Sequence, residues 1–247
     1  VLARLGLGYD ALSASNPRLV YCSISGYGQV GPYAQKGAFD VTVQAISGMM
    51  SVTGESDRPP VKGGVPVRDF GAGLYAAYCI SAALRQASET GRGCYIDCSM
   101  LGSLLGMSAL QTSEYFGTGQ APKRLGSAHP RNAPYQGFEA ADGPFVVAAG
   151  NQELWRKFCE VVQLPELIDD SRFRTQELRA RNQKELVSIL QPLFHARSRA
   201  FWIEELDRRG IPCAPVNGFD DILADPHVKE MGILHSMQLP MGRTRRW

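Results

Sequence analysis

The sequence predicts an α/β protein, with a parallel sheet in its first part and a smaller α+β domain after it. Three observations carry this. Short apolar runs of β-formers alternate with helical stretches between Leu19 and Gly117, a pattern met by parallel strands joined through helices. A hairpin signal, Asp142-Gly143 between two strand-like stretches, comes only later,. The chain has 247 residues, enough for one large domain or two small ones, each with a core.

The elements follow in order. Leu19 to Ser25 (LVYCSIS) reads as a buried strand,. The loop Gly26 to Pro32 (GYGQVGP) cannot be helical,. Phe39 to Met50 reads as a helix that ends near Gly48 to Gly54, and Glu55 to Pro66 as a loop rich in Pro, Gly and charge. From Asp69, DFGAGLYAAYCISAALRQASE is a long run of small and apolar residues. It reads as a mostly buried helix with Asp69 in its first turn and Gly91 and Gly93 at its end. Cys94 to Cys98 (CYIDC) alternates like a strand, and Ser99 opens an apolar helix that reaches about Gly117. The loop Thr118 to Ala133 bends at Gly126 and Pro130 and carries Lys123, Arg124, His129 and Arg131 with no acid. A domain boundary is placed there. Beyond it, Tyr135 to Ala140 and Pro144 to Gly150 form the hairpin, and Glu153 to Val162, Glu177 to His195 and Ala200 to Arg209 read as helices. The expected domains are 1–133 and 134–232, with 233–247 as an end segment.

Composition narrows the function. Charged residues make 20% and hydrophobic residues 44% of the chain, and the net charge is +2. That balance argues against nucleic acid as a partner, and no Lys/Arg block occurs before the final GRTRR,. No apolar run is long enough to span a bilayer, so no membrane partner is expected. The start, VLARLGLGYDAL, lacks the charged-then-apolar order of a secretory signal,. Cys22, Cys79, Cys94, Cys98, Cys159 and Cys213 are scattered, with no histidine pair at zinc spacing. They read as reduced, mostly buried thiols of a cytoplasmic protein, or of the mitochondrial matrix in a eukaryote. The chain opens on Val1, inside a helical pattern, which leads us to expect a missing N-terminal part.

Asp69 is the residue singled out first. It has a plain reading as an N-cap. It also has a functional one: a carboxylate at a helix N-terminus sits in positive potential, with Gly71 and Gly73 leaving room for a ligand, and can act as a nucleophile on an activated acyl group. GYGQVGP is neither a phosphate loop nor a dinucleotide fingerprint. His129 reads as structural or solvated more readily than catalytic. Cys98 follows Asp97 without a histidine partner, which supports a thiol nucleophile weakly. Trp155, Phe158, Phe201 and Trp202 read as core,.

The ordered segments ISGYGQVGP, GAFDVTVQAISGMM, GGVPVRDFGAGLYAAYCISAAL, TGRGCYIDCSML, GSAHPRNAPYQGFEAADG, GNQELW, DDSRFRTQELRARNQKEL and RRGIPCAPVNGFDDILADPHV cover nearly the whole chain. Together they resemble the family III CoA-transferases, the CaiB/BaiF family. The resemblance implies a Rossmann-like parallel-sheet large domain, incomplete here, a smaller α+β domain, a truncated C-terminal segment, and an interlocked homodimer in the full-length protein. It implies transfer of coenzyme A from an acyl-CoA to a carboxylic acid through a covalent aspartyl intermediate on Asp69. No metal and no bound cofactor are implied; the CoA thioester is substrate. Arg4 falls where CoA phosphate is contacted, Gly37, Ala38, Phe39 and Asp40 on a CoA-lining stretch, and Gly126 with His129 on a loop that covers the active site. Two other readings stand beside it. One is an α-methylacyl-CoA racemase, which needs an acid–base group on each face of the α-carbon; racemases of the family carry histidine where this chain has Phe39. The other is a non-catalytic CoA-binding fragment.

Overall fold

The computed structural model describes residues 2–237 and the backbone of 238 and 244–246. Most of the predicted end segment beyond Gln238, the basic GRTRR side chains included, lies outside the described residues. The chain divides into two compact units, residues 1–126 and 127–247; the division falls inside the basic loop. No helix among the described residues is long and apolar enough to cross a membrane.

The first unit opens with a 3-10 turn, Leu2–Leu5, and α1 (Tyr9–Ser15). Strand β1 (Tyr21–Ser25) leads through the glycine loop to α2 (Asp40–Ile46) and α3 (Met49–Val52). The single helix expected from Phe39 to Met50 is thus two. Gly48 between them adopts φ +86°, a left-handed backbone that ends a helical run and that glycine takes without strain. The long helix α4 (Val67–Thr90) follows, then β2 (Tyr95–Ser99), α5 (Met100–Met107) and α6 (Ala109–Thr118). The helix expected from Ser99 is also split, at Ser108. Strands β1 and β2 pair in parallel, Tyr21 opposite Tyr95 and Ser25 opposite Ser99. These are the parallel strands that the alternating pattern called for.

Helix α4 starts because Pro66 cannot donate an N–H and sets the entry backbone,; it stops at Gly91, which takes φ +72°,. Its inner face is small: Gly71, Ala72, Ala76, Ala83 and Ala87 are buried, and the helix packs on α5, β2 and β1. Its large apolar residues Phe70, Leu74 and Tyr78 recur every four residues on an exposed face,. The expectation of a mostly buried helix is therefore corrected. Within the described residues only the alanine–glycine side is covered.

The second unit is an antiparallel sheet covered by helices. Strands β3 (Tyr135–Ala140) and β4 (Gly143–Ala148) form the predicted hairpin, and β5 (Cys213–Pro215), unforeseen, pairs with β4. Helices α7 (Gln152–Val161), α8 (Gln176–Arg181), α9 (Gln183–Phe194) and α10 (Arg199–Arg208) follow, with α11 (Phe219–Ala224), α12 (Pro226–Glu230) and the pair β6 (Ser236–Gln238) and β7 (Thr244–Arg246) at the end. The helix expected from Glu177 to His195 is broken at Asn182, whose Nδ2 donates to the Arg172 carbonyl (2.9 Å). The core is aromatic: Phe194 lies 4.7 Å from Phe138, 5.1 Å from Phe145 and 5.0 Å from Trp202 between ring centroids. Trp155, Phe158 and Trp202 are buried as expected, but Phe201 is 41% exposed. Adjacent residues on a helix point different ways, so when Trp202 turns inward Phe201 turns out.

Of the six cysteines, all free, only Cys98 and Cys159 are buried; the other four are half-buried. This corrects the expectation of mostly buried thiols.

Candidate active site

Asp69 stands third in the first turn of α4, and its N–H donates to the Pro66 carbonyl (3.1 Å). The cap position belongs to Pro66, with no side-chain bond. Asp69 is therefore not the N-cap. Its carboxylate instead meets its neighbour: Arg68 Nη2 donates to Asp69 Oδ1 at 2.6 Å. Consecutive helical residues do not normally face each other; the arginine's length lets the guanidinium fold back over the first turn. The Asp69 side chain is 46% exposed and that of Arg68 only 3%.

Arg68 also faces Asp40 at the start of α2, Nε to Oδ1 at 3.6 Å. That is an ion pair too long to be a hydrogen bond, and Asp40 Oδ1, Arg68 Nε and Arg68 Nη1 have no hydrogen-bond partner. One turn along α2, Gln44 Nε2 donates to Asp40 Oδ2 (2.5 Å), and Gln44 Oε1 accepts from the Gly63 N–H (2.8 Å). Gln44 is fully buried. A polar chain thus runs from the loop before α4, through α2, to the carboxylate of Asp69. Sequence reasoning misses Arg68 and Gln44. The available signals were a basic residue adjacent to Asp69 and an amide one helical turn after Asp40.

The other expected positions fall as follows. Arg4 lies exposed on the 3-10 turn. Gly37, Ala38 and Phe39 lead into α2; Ala38 packs on Gly26 so closely that a side chain at 26 would overlap its Cβ. Phe39 is 79% exposed, its N–H donating to Thr42 Oγ1 (3.0 Å). Gly126 takes φ +62° with its N–H on the Gly54 carbonyl (3.0 Å), and a Cβ there would run into the Glu55 carboxylate. His129, in the other unit, stacks on Tyr135 at 5.0 Å. Its Nδ1 accepts from the N–H groups of Arg131 and Asn132, both at 3.1 Å. Burial, and then the charge of Arg131, pull its pKa below the ordinary value.

Of the two glycines expected to open a path to Asp69, one does not. A Cβ on Gly71 would stand 2.6 Å from Met107 Cε, so the space serves helix packing; Gly73 alone faces open space. Cys98 makes a poor nucleophile. Its thiol faces the Ala72 carbonyl (3.4 Å), and burial first, then Cys79 and Asp97, push its pKa up,. The glycine loop is anchored by Asp97, whose Oδ2 accepts from the Gln29 N–H (2.7 Å).

The comparisons with known proteins agree with one another. Residues 1–246 match the family model described as CoA-transferase family III. The chain is 38% identical over 239 residues to the succinyl-CoA:glutarate CoA-transferase of Homo sapiens, covering 97% of this chain and 55% of that protein. It is 37% identical over 241 residues to the succinate–glutarate CoA-transferase of Agrobacterium fabrum, covering 98% of this chain and 60% of that protein. The solved structure of a CaiB/BaiF family protein from Brucella suis superposes with a TM-score of 0.82 at 38% identity, covering 98% of this chain and 64% of that one. The chain thus spans little more than half the length of the curated relatives it matches.

Proposed function

The chain belongs to CoA-transferase family III, and from that membership we propose that the protein carrying it moves coenzyme A between carboxylic acids through a covalent intermediate on Asp69. The observation that carries the reading is the state of that carboxylate. It is half exposed in the first turn of a 24-residue helix, with one oxygen held by a buried guanidinium. Positive potential at the helix start favours the anion and every oxyanion formed beside it.

The sequence of steps balances without net proton transfer. Asp69 Oδ2 attacks the thioester carbonyl of the donor, and CoA thiolate leaves with the C–S electron pair, giving an aspartyl–acyl anhydride. The thiolate attacks Asp69 Cγ and expels the donor carboxylate, leaving an enzyme–CoA thioester. The acceptor carboxylate then attacks Cγ and expels thiolate. Thiolate finally attacks the acceptor's carbonyl, releasing the new acyl-CoA and the free Asp69 carboxylate. In this reading Arg4 contacts a CoA phosphate, Gly37 to Asp40 line the CoA channel, and the loop with Gly126 and His129 covers the site. Short dicarboxylic acids are the proposed acids, on the strength of the names of the two curated relatives. A homodimer is part of the proposal; the exposed Phe70, Leu74 and Tyr78 face supports it by calling for a cover,.

The test is to mix the intact protein with succinyl-CoA alone and digest it for mass spectrometry. The peptide holding Asp69 is expected to gain CoA less one water, and to lose it when glutarate is added. Turnover with no such adduct, and kinetics that require both substrates bound together, would refute the covalent route. A panel of oxalate, itaconate and aromatic acids then ranks acceptors.

No racemase activity is expected. Phe39 cannot move a proton, and Asp69 by itself serves only one face of an α-carbon, Asp40 being engaged by Gln44 and Arg68. Incubation of 2-methylacyl-CoA in deuterated water checks this; α-deuterium above the non-enzymatic level contradicts it.

A further inference from the structure

We propose that Arg68 is the oxyanion donor of this site, holding the oxygen on which negative charge collects each time the carbonyl carbon of Asp69 is itself attacked. The inference rests on Asp69 forming the covalent intermediate. Two of the four displacements take place at Asp69 Cγ. In the first, CoA thiolate adds, the carbonyl π pair moves onto Oδ1, and its return expels the donor carboxylate with the C–O pair. In the second, the acceptor carboxylate adds, charge again moves to Oδ1, and its return expels thiolate with the C–S pair. In the other two steps the attacked carbon belongs to the substrate, and Asp69 is nucleophile or leaving group.

Oδ1 is the atom that Arg68 already holds, at 2.6 Å. The guanidinium is 3% exposed, so water screens its charge little and the interaction is stronger than it would be at the surface. An arginine offers five N–H donors, and here Nε and Nη1 have no hydrogen-bond partner. Two of its nitrogens are therefore uncommitted as hydrogen-bond donors before reaction, and the bond to Oδ1 strengthens as that oxygen becomes a full anion. Asp40, itself held by the buried Gln44, forms an ion pair with the same guanidinium at 3.6 Å. The competing account is a purely structural ion pair that ties α2 to α4. The two differ in what they predict for rate and for binding.

The test uses Arg68→Met and Arg68→Lys in the intact protein, with folding checked by far-UV circular dichroism. Single-turnover formation of the Asp69–CoA thioester from succinyl-CoA is followed by quenched-flow mass spectrometry. Arg68→Met is expected to slow it by about 10²- to 10³-fold, the usual cost of one oxyanion donor. Arg68→Lys, which keeps the charge but loses the planar fork, should slow it by roughly tenfold or more. KM for succinyl-CoA should stay within about threefold, since the contact tightens only in the transition state. Hydroxylamine should still trap the first anhydride in both variants. Wild-type single-turnover rates in either folded variant, or a change confined to KM, overturn the proposal; should Arg68→Met not fold, Arg68→Lys decides. Asp69→Asn is run beside them. Full activity there removes the covalent reading and this inference with it, whereas an inactive Asp69→Asn alongside a fully active Arg68→Met removes only the role of Arg68.

Discussion

Asp69→Ala and Asp69→Asn in the intact protein are each expected to lower kcat by about 10⁴-fold or more, the scale seen when a covalent nucleophile is removed. The fold should survive. The side chain is 46% exposed and does not cap the helix; it contributes the first-turn dipole term of roughly 0.3–1 kcal/mol and the hydrogen bond to the buried Arg68, which asparagine can keep. Asparagine is the cleaner substitution. It keeps an oxygen for Arg68 while an amide cannot act as the nucleophile, whereas alanine leaves Arg68 with Asp40 alone. Steady-state turnover with succinyl-CoA and glutarate measures the effect. Turnover near wild type in either variant would place the chemistry elsewhere.

The largest expected effect on stability lies in the second unit, at Arg179. This side chain is fully buried. It donates to the Ala133 carbonyl (2.8 Å), Gln152 Oε1 (2.9 Å) and the Phe173 carbonyl (3.0 Å), with its guanidinium 4.9 Å from the centre of the Trp155 ring. Burial pulls its pKa down to about 10, with Cys159 acting the other way, so it stays charged at neutral pH. Replacing a buried ion by an apolar residue can be neutral when its partners are replaced too. Here two of the acceptors are backbone carbonyls and stay behind, each costing about 1–3 kcal/mol if left unpaired. The partial relief of an expensive buried charge offsets some of that. Arg179→Met should therefore lose about 3 kcal/mol, a fall in the thermal midpoint of roughly 10 °C or more for a unit of this size. Urea unfolding checks it; a loss under about 1 kcal/mol would mean that water replaces the arginine.

The strands, the hairpin and the long helix were legible because each is set by local chemistry: β-formers between glycines, Asp-Gly at a turn, small residues in an unbroken run. What local sequence hides is where a continuous helical pattern breaks. Gly48 and Asn182 end helices through a left-handed backbone and a side-chain bond to a distant carbonyl, and Asn182 depends on Arg172, ten residues earlier. Short β5 was missed because it exists through pairing with β4 rather than through its own three residues. The site was half legible. Asp69 and Asp40 could be named from the segments that hold them, but that one buried arginine reaches both depends on α2 packing beside the start of α4. Exposure of the Phe70, Leu74 and Tyr78 face was not legible at all, since an apolar residue reads as buried until its neighbours are known.

The aromatic core of the second unit has an optical consequence. The three tryptophans are Trp155, Trp202 and Trp247, and none occurs among residues 1–126. Of the indole emission from these 247 residues, excited at the red edge of the band, all comes from residues 127–247, which hold Arg179, and residues 1–126, which hold Arg68 and Asp69, carry only tyrosine and phenylalanine as aromatic chromophores. The indole signal of these residues therefore gives no direct readout of unfolding around Arg68 and Asp69. For variants at the candidate site the helical circular dichroism of α4, or a tryptophan installed at exposed Phe70, is the measurement that sees it.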